Sequence, residues 1–257
     1  MSGKGKNAID MTGGSLWKNI LVFSLPLMMT QMLEVLFNLS DVAIAGKYAD
    51  YIALGAVGST ALLVSLFTGI LIGMGAGVNV RTAHRLGAEK TSGSSETVAR
   101  TVYSGLIVCL IIGIILCLVC NIFARPMLEA LKTKDELIES AVLYLKIYAL
   151  GMPAMAVYNF GNGVLSACGE TKKPLIYLSI AGVLNVILNI FFVVVCKKAA
   201  DGVAIASVIA QYLSASMIMC HLLRRKDSCK LRLSNRYFDT SACGGVLMIG
   251  IPTGMQN

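Results

Sequence analysis

Residues 16–45 read LWKNILVFSLPLMMTQMLEVLFNLSDVAIA, an almost continuous apolar run that holds two carboxylates, Glu34 and Asp41. The run exceeds the ~20 residues an α-helix needs to cross the hydrocarbon core of a bilayer. It is too long for the apolar part of a signal peptide, and Asp41 stands where a small-residue cleavage site would be required. It therefore reads as a retained first membrane helix. The acids become the question, because a charge in lipid is costly unless it faces a bundle interior or a water-filled cavity.

The rest of the chain repeats the pattern. Of 257 residues, 56% are hydrophobic and only 14% charged, with a mean hydropathy of +0.74. A soluble domain carries roughly a quarter charged residues. Six spans are predicted, at about 16–45, 52–80, 98–123, 140–167, 174–196 and 201–223. The expected fold class is an all-α integral membrane bundle of six transmembrane helices, with loops too short for a large soluble domain. The first, second and fourth spans are long enough to imply tilt or extension into water.

The net charge of +8 could suggest nucleic acid, but its distribution argues for a membrane. With the N-terminus inside, 15 of the 22 Lys and Arg residues fall on the inner side, among them Lys4, Lys6, Lys18, Lys90 and the basic linker 224–242, and 7 on the outer. The positive-inside rule places the N-terminus and that linker in the cytoplasm. The eight cysteines sit mostly in or at the ends of apolar runs and form no disulfide framework. CLVC at 117–120 has metal-ligand spacing but no second pair, so it reads as buried small hydrophobes, and no metal is expected there.

The last segment, GGVLMIGIPTGMQN at 244–257, echoes the first helix. With Pro252 placed on Pro26, Ile20, Leu21 and Val22 fall on Val246, Leu247 and Met248, Met29 on Met255, and Gln31 on Asn257. Duplicated halves are common in transporters. The expected organisation is an N-terminal lobe (1–223), the basic linker (224–242) and the start of a seventh helix (243–257), with a second lobe beyond Asn257.

Polar residues inside the spans mark the candidate site. Gln31, Glu34, Asn38 and Asp41 are spaced 3, 4 and 3 and cluster within about 80° of one helix face. In LNVILNIFF (184–192), Asn185 and Asn189 lie one turn apart. Ser207 and Gln211 share a face of the sixth helix, with Ser214 a turn further on, and Asn159, Asn162 and Ser166 a face of the fourth. Amides and hydroxyls in such places either glue helices together or line a cavity. Met32, like Met28, Met29, Met152 and Met155, could add a soft, polarizable lining. Pro26 and Pro153 would kink their spans. Gly69, Gly73 and Gly77 step by four, the small-xxx-small pattern of close helix contact. GMGAG (73–77) lacks the preceding strand and following helix of a nucleotide loop.

These residues resemble the multidrug and toxic compound extrusion (MATE) family over nearly the whole chain. The likeness rests on SLPLMMTQMLEVLFNLSDVAIAG in the first helix, RLGAEK in the loop after the second, GVLSACGETKKP between the fourth and fifth, LNVILNIFF in the fifth, and GIP at 250–252. The resemblance implies one lobe of a twelve-helix exporter that moves drugs or toxic organic cations by alternating access, driven by H+ or Na+, in the cell membrane of a bacterium. It implies no other cofactor. It assigns Asp41, Asn185, Asn189 and Ser207 to cation coupling, including a possible Na+ site, and Pro26 and Pro153 to hinges. Gln31, Glu34, Asn38, Met32, Asn159, Asn162 and Gln211 become candidates for the substrate cavity. Some members carry a second acid where Asn189 stands, and Glu34 occupies a position where a neutral residue is expected.

Three other readings compete. A lipid-linked-sugar flippase of similar plan would want a cationic cavity, and no arginine lies within the spans beyond Arg100 at the very start of the third. A membrane receptor would not need a polar stripe on three helices. An intramembrane enzyme lacks support: there is no Gly-x-Ser-x-Gly elbow, and Glu34 and Asp41, two turns apart, are separated by about 10 Å.

Overall fold

The computed structural model describes residues 16–92 and 95–256. Lys4 and Lys6, counted toward the orientation, and Asn257, matched to Gln31, lie outside the described residues. Among those residues the secondary structure is helical: α1 (Leu16–Tyr48), α2 (Tyr51–Ser92), α3 (Ser95–Ala130), α4 (Asp135–Ala149), α5 (Met152–Ala167), α6 (Lys172–Ile190), α7 (Ala200–Arg224) and α8 (Thr240–Gln256). A π-helical turn, Phe191–Val195, ends α6, and a 3-10 turn, Asn235–Tyr237, precedes α8.

Five described helices are long and apolar enough to cross a membrane, and α4 with α5 makes a sixth span bent by 45°. The fourth span is thus two helices rather than one kinked helix. The chain closes α4 with tight bonds, Leu150 N–H to Ile147 O and Gly151 N–H to Tyr148 O, both 3.0 Å. Pro153 then falls in the first turn of α5, where its missing N–H costs nothing. The carbonyl left over at the break, Leu150 O, accepts the Tyr212 hydroxyl of α7 at 3.1 Å. Pro26, by contrast, lies inside an unbroken α1, with Thr30 Oγ1 donating to its carbonyl at 2.9 Å.

Two boundaries move. RLGAEK, expected in a loop, is helical, because α2 continues to Ser92. The third span extends to Ala130 through Pro126, where the ion pair of Arg125 with Glu129 suits a helix end standing in water.

Helix α2 runs through the middle of the bundle, against α3, α4, α5 and α8, while α6 lies between α1 and α7. Glycines set these distances. A Cβ on Gly73 would stand 2.3 Å from Gly254 N, and one on Gly77 2.5 Å from Val246 O, so this face of α2 meets α8 backbone to backbone. The other face meets α5 in the same way, with Gly75 against Asn159 and Gly163 against Gly75 O. Such contacts let dispersion and weak Cα–H···O bonds replace the hydrophobic effect, which lipid removes. Facing outward, Ile111, Ile114, Ile115, Leu118 and Ile122 form an exposed apolar stripe on α3, suited to acyl chains.

At one end of the bundle, GETKKP makes a compact turn. Gly169 adopts φ 79° and ends α5, while Glu170 N–H reaches back to Leu165 O at 2.9 Å. The linker folds back onto the same end, with Leu231 N–H on Leu222 O at 3.2 Å. Arg225 joins the two segments through ion pairs with Glu170 (3.2 Å) and Asp227. Burial disfavours the Asp227 charge, but the Arg225 guanidinium outweighs it and holds that carboxyl below its usual range. Cys168 and Cys229 meet there in a disulfide, which corrects the expectation that the cysteines are unpaired. The partners are 61 residues apart, and only the fold-back of the linker brings them together.

Candidate functional site

Where α1, α6 and α7 meet, Asp41 is buried among the three residues assigned with it from the sequence. Its Oδ1 accepts Asn189 Nδ2 at 2.6 Å and its Oδ2 accepts Ser207 Oγ at 2.7 Å. Asn189 Nδ2 also donates to Asn185 Oδ1 at 3.2 Å, and Asn185 Nδ2 donates to Ser207 Oγ at 3.1 Å. The four side chains close a ring of hydrogen bonds, and none is more than 5% exposed.

Helix periodicity builds this ring. Asn185 and Asn189 are one turn apart on α6, so both amides point the same way, and Ser207 is met from α7. An aspartate at the centre of a membrane helix costs about 2.5–3.5 kcal/mol. Two hydrogen bonds to a charged acceptor contribute about 1.5–3 kcal/mol each, which offsets that cost. The Asn189 Oδ1 atom is buried with no hydrogen-bond partner among the described residues, so the ring keeps one oxygen in reserve.

Beside the ring opens a cleft of about 630 Å³, its mouth included. Glu34, Asn38 and Asp41 line it from α1, Asn185 from α6, and Ser207, Gln211 and Ser214 from α7. Phe37, Thr68, Tyr148, Met155, Tyr158 and Leu178 complete the wall. Phe37 reaches in because α6 has no side chain at Gly182, where a Cβ would stand 1.8 Å from the ring. Gln211 fits because α4 and α5 break at Gly151, where a Cβ would fall 1.7 Å from its Oε1.

Four of the expected cavity residues lie elsewhere. Gln31 and Met32 are exposed on α1, outside the cleft. Gln31 is the first member of the predicted stripe, and the cleft covers only Glu34 to Asp41. Asn159 is buried in the α2–α5 contact and donates to Met155 O at 3.1 Å, while Asn162 accepts Ser166 Oγ at 3.4 Å. Asn159 tightens the α2–α5 contact, and Asn162 is bonded within its own helix. Sequence reasoning missed Thr68, Tyr148 and Tyr158. The available signal was two tyrosines lodged within spans rather than at the membrane interfaces, where aromatic belts belong.

The MatE family model matches residues 26–191, well over half of the chain, from Pro26 within α1 to just past the end of α6, and so includes Asp41, Asn185 and Asn189. The chain belongs to the MatE family. Among its relatives, the Probable multidrug resistance protein YpnP of Bacillus subtilis is 28% identical over 251 residues, which is 97% of this chain and 55% of YpnP. The Probable multidrug resistance protein NorM of Thermotoga maritima is 24% identical over 251 residues, 93% of this chain and 51% of NorM. The chain therefore spans about half the length of the curated relatives it matches. Solved MATE structures share its fold. One in the bent conformation superposes with a TM-score of 0.85 at 23% identity, covering 94% of this chain and 53% of the other. An outward-facing multidrug resistance MATE transporter gives 0.84 at 22% identity, covering 98% and 55%. MatE membership and these superpositions give the chain the fold of about half of a solved MATE structure.

Proposed function

We propose that this MatE chain is the ion-coupling lobe of a multidrug antiporter, which expels organic cations from the cell against inward H+ or Na+ flow by alternating access. The single observation that carries the reading is the buried ring Asp41–Asn189–Asn185–Ser207 opening on a cleft. It holds the carboxylate with two donors and has a reserve oxygen on Asn189. Protonation of Asp41 would release one of those donors. Turning the Asn189 amide would offer its Oδ1 to a hard cation, which prefers oxygen ligands. In either case, occupancy of the site changes how α1 is tied to α6 and α7. Pro26, with one ladder bond fewer, and the α4–α5 break beside Pro153 are the positions where the bundle would bend.

In this reading α1–α7 form one lobe and α8 opens the second, with the N-terminus in the cytoplasm of a bacterial cell membrane. The described lining carries two carboxylates and neither Lys nor Arg. That favours cationic cargo over the anionic lipid-linked sugars of a flippase. The test is Asp41→Asn in the full-length protein, with dye efflux measured in proteoliposomes under imposed pH and Na+ gradients in turn. Efflux driven by one gradient should be lost. Undiminished, gradient-dependent transport by the variant would falsify the coupling role.

A further inference from the structure

Glu34 differs from Asp41 in one decisive respect. Both line the same cleft. Asp41 has its two oxygens satisfied by Asn189 and Ser207, whereas Glu34 Oε2 is buried with no hydrogen-bond partner among the described residues. The Glu34 side chain as a whole is half-buried, so the shielded oxygen sits at the inner end of a group that still communicates with the cleft. Its carboxylate lies within electrostatic reach of the Tyr158 phenol and, less strongly than Asp41, of Tyr148. Phe37 and Met155 add an aromatic ring and a thioether to the same wall. Lysine, arginine and histidine are missing from the described lining, so the protein supplies no countercharge for Glu34 there.

A buried carboxylate oxygen without a donor is costly. An acid beside aromatic faces in a cleft is matched by a cation with an apolar, flat body: its charge meets the carboxylate and its rings meet Phe37, Tyr148 and Tyr158. Asp41 is poorly placed for that task, because a cargo cation would have to break the ring to reach it.

We propose that Glu34 is the cargo anchor, a carboxylate that binds the charged group of a lipophilic organic cation while Asp41 is reserved for the coupling ion. The two cations then occupy the cleft on different acids, Glu34 on the side of Tyr158 and Asp41 in the ring. Exchange between them works through the bundle rather than by competition for one carboxylate. The inference rests on the antiport reading but divides its work between two residues.

The experiment is equilibrium binding to the full-length protein in lipid nanodiscs, followed by fluorescence anisotropy. Ethidium is the cationic probe and N-phenyl-1-naphthylamine the neutral one. Wild type, Glu34→Gln and Asp41→Asn are compared. Glu34→Gln should weaken ethidium at least tenfold while leaving the neutral probe within about twofold, which also shows that the cleft is intact. The loss in Asp41→Asn should be several-fold smaller. Ethidium binding by Glu34→Gln equal to wild type overturns the anchor, as does an equal loss in the two variants, which would mean competition at a shared site. Loss of both probes in Glu34→Gln overturns it too, by giving Glu34 a structural role. Conservative Glu34→Asp, one methylene shorter, should recover part of the ethidium affinity. Failure of the wild type to bind ethidium would sink the antiport reading together with the anchor, whereas failure of Glu34→Gln alone leaves that reading standing.

Discussion

At the scale of single residues, the ring around Asp41 has unequal members. Asn189 and Ser207 donate to the carboxylate at short range, while Asn185 acts on it more weakly and holds the other two. Ser207→Ala removes the only donor to Asp41 Oδ2 among the described hydrogen bonds. A hydrogen bond to a charged acceptor is worth about 1.5–3 kcal/mol, so gradient-driven efflux should fall about tenfold or more. Ser207→Thr keeps the hydroxyl and should retain most of the rate. Initial rates of dye efflux in proteoliposomes check both, and equal losses in the two variants would point to crowding instead of the lost bond. These residues were legible because lipid makes polar side chains rare in a span, so each one is a signal. Thr68 was not, since a threonine passes for an ordinary span residue until a cleft is seen beside it, and Tyr148 and Tyr158 were signalled only by lying within spans rather than at the interfaces. Asn159 and Asn162 show the converse, with polarity spent on helix contact by the first and on a bond within α5 by the second.

At the scale of elements, the number of spans was readable and their ends were not. Hydropathy marks where a helix is apolar, whereas helix termini depend on charges and caps that hydropathy does not register. Thus α2 runs on through RLGAEK, and α3 through Arg125 to Ala130. The Gly-Met-Pro at 151–153 marked a disturbance in the fourth span, but whether it kinks one helix or separates two depends on the bonds that Leu150 and Gly151 make. The glycine pattern was legible as close packing, and the structure assigns the partners: α8 for Gly73 and Gly77, α5 for Gly75. Those contacts predict an ordering of variants. Gly163→Ala puts a methyl 2.2 Å from Gly75 O, a backbone atom that cannot turn aside. The cost should be about 1–3 kcal/mol, seen as a lower apparent Tm in detergent. Gly58→Ala meets nothing within 4 Å. Removing a glycine from a helix interior stabilises by about 0.5–1 kcal/mol, so its Tm should hold or rise. A Gly163→Ala protein as stable as Gly58→Ala would mean that α2 and α5 are not in backbone contact.

At the scale of the whole molecule, the ends of the bundle differ in kind. One gathers the GETKKP turn, the tail of α7 and the linker, tied by the Glu170–Arg225–Asp227 ion pairs, by Ser228 donating to Glu89 at 2.6 Å, and by the Cys168–Cys229 disulfide. The sequence could not reveal that junction, because its parts are 61 residues apart and meet only after the linker turns back. The other end carries the short link between α6 and α7, where Lys197 takes φ 51°, Lys198 pairs with Asp201 at 2.8 Å, and Cys196 is an exposed free thiol. In the orientation proposed above, which follows the positive-inside rule, the junction faces the cytoplasm and Cys196 faces outward. The consequence is a direct test. A membrane-impermeant maleimide added to intact cells should label the protein, and Cys196→Ser should abolish the signal. Cys220, exposed near the other end of α7, should not react until the cells are permeabilised. Labelling that appears at Cys196 only after permeabilisation would invert the orientation, and with it the direction in which the cleft must open to expel its cargo.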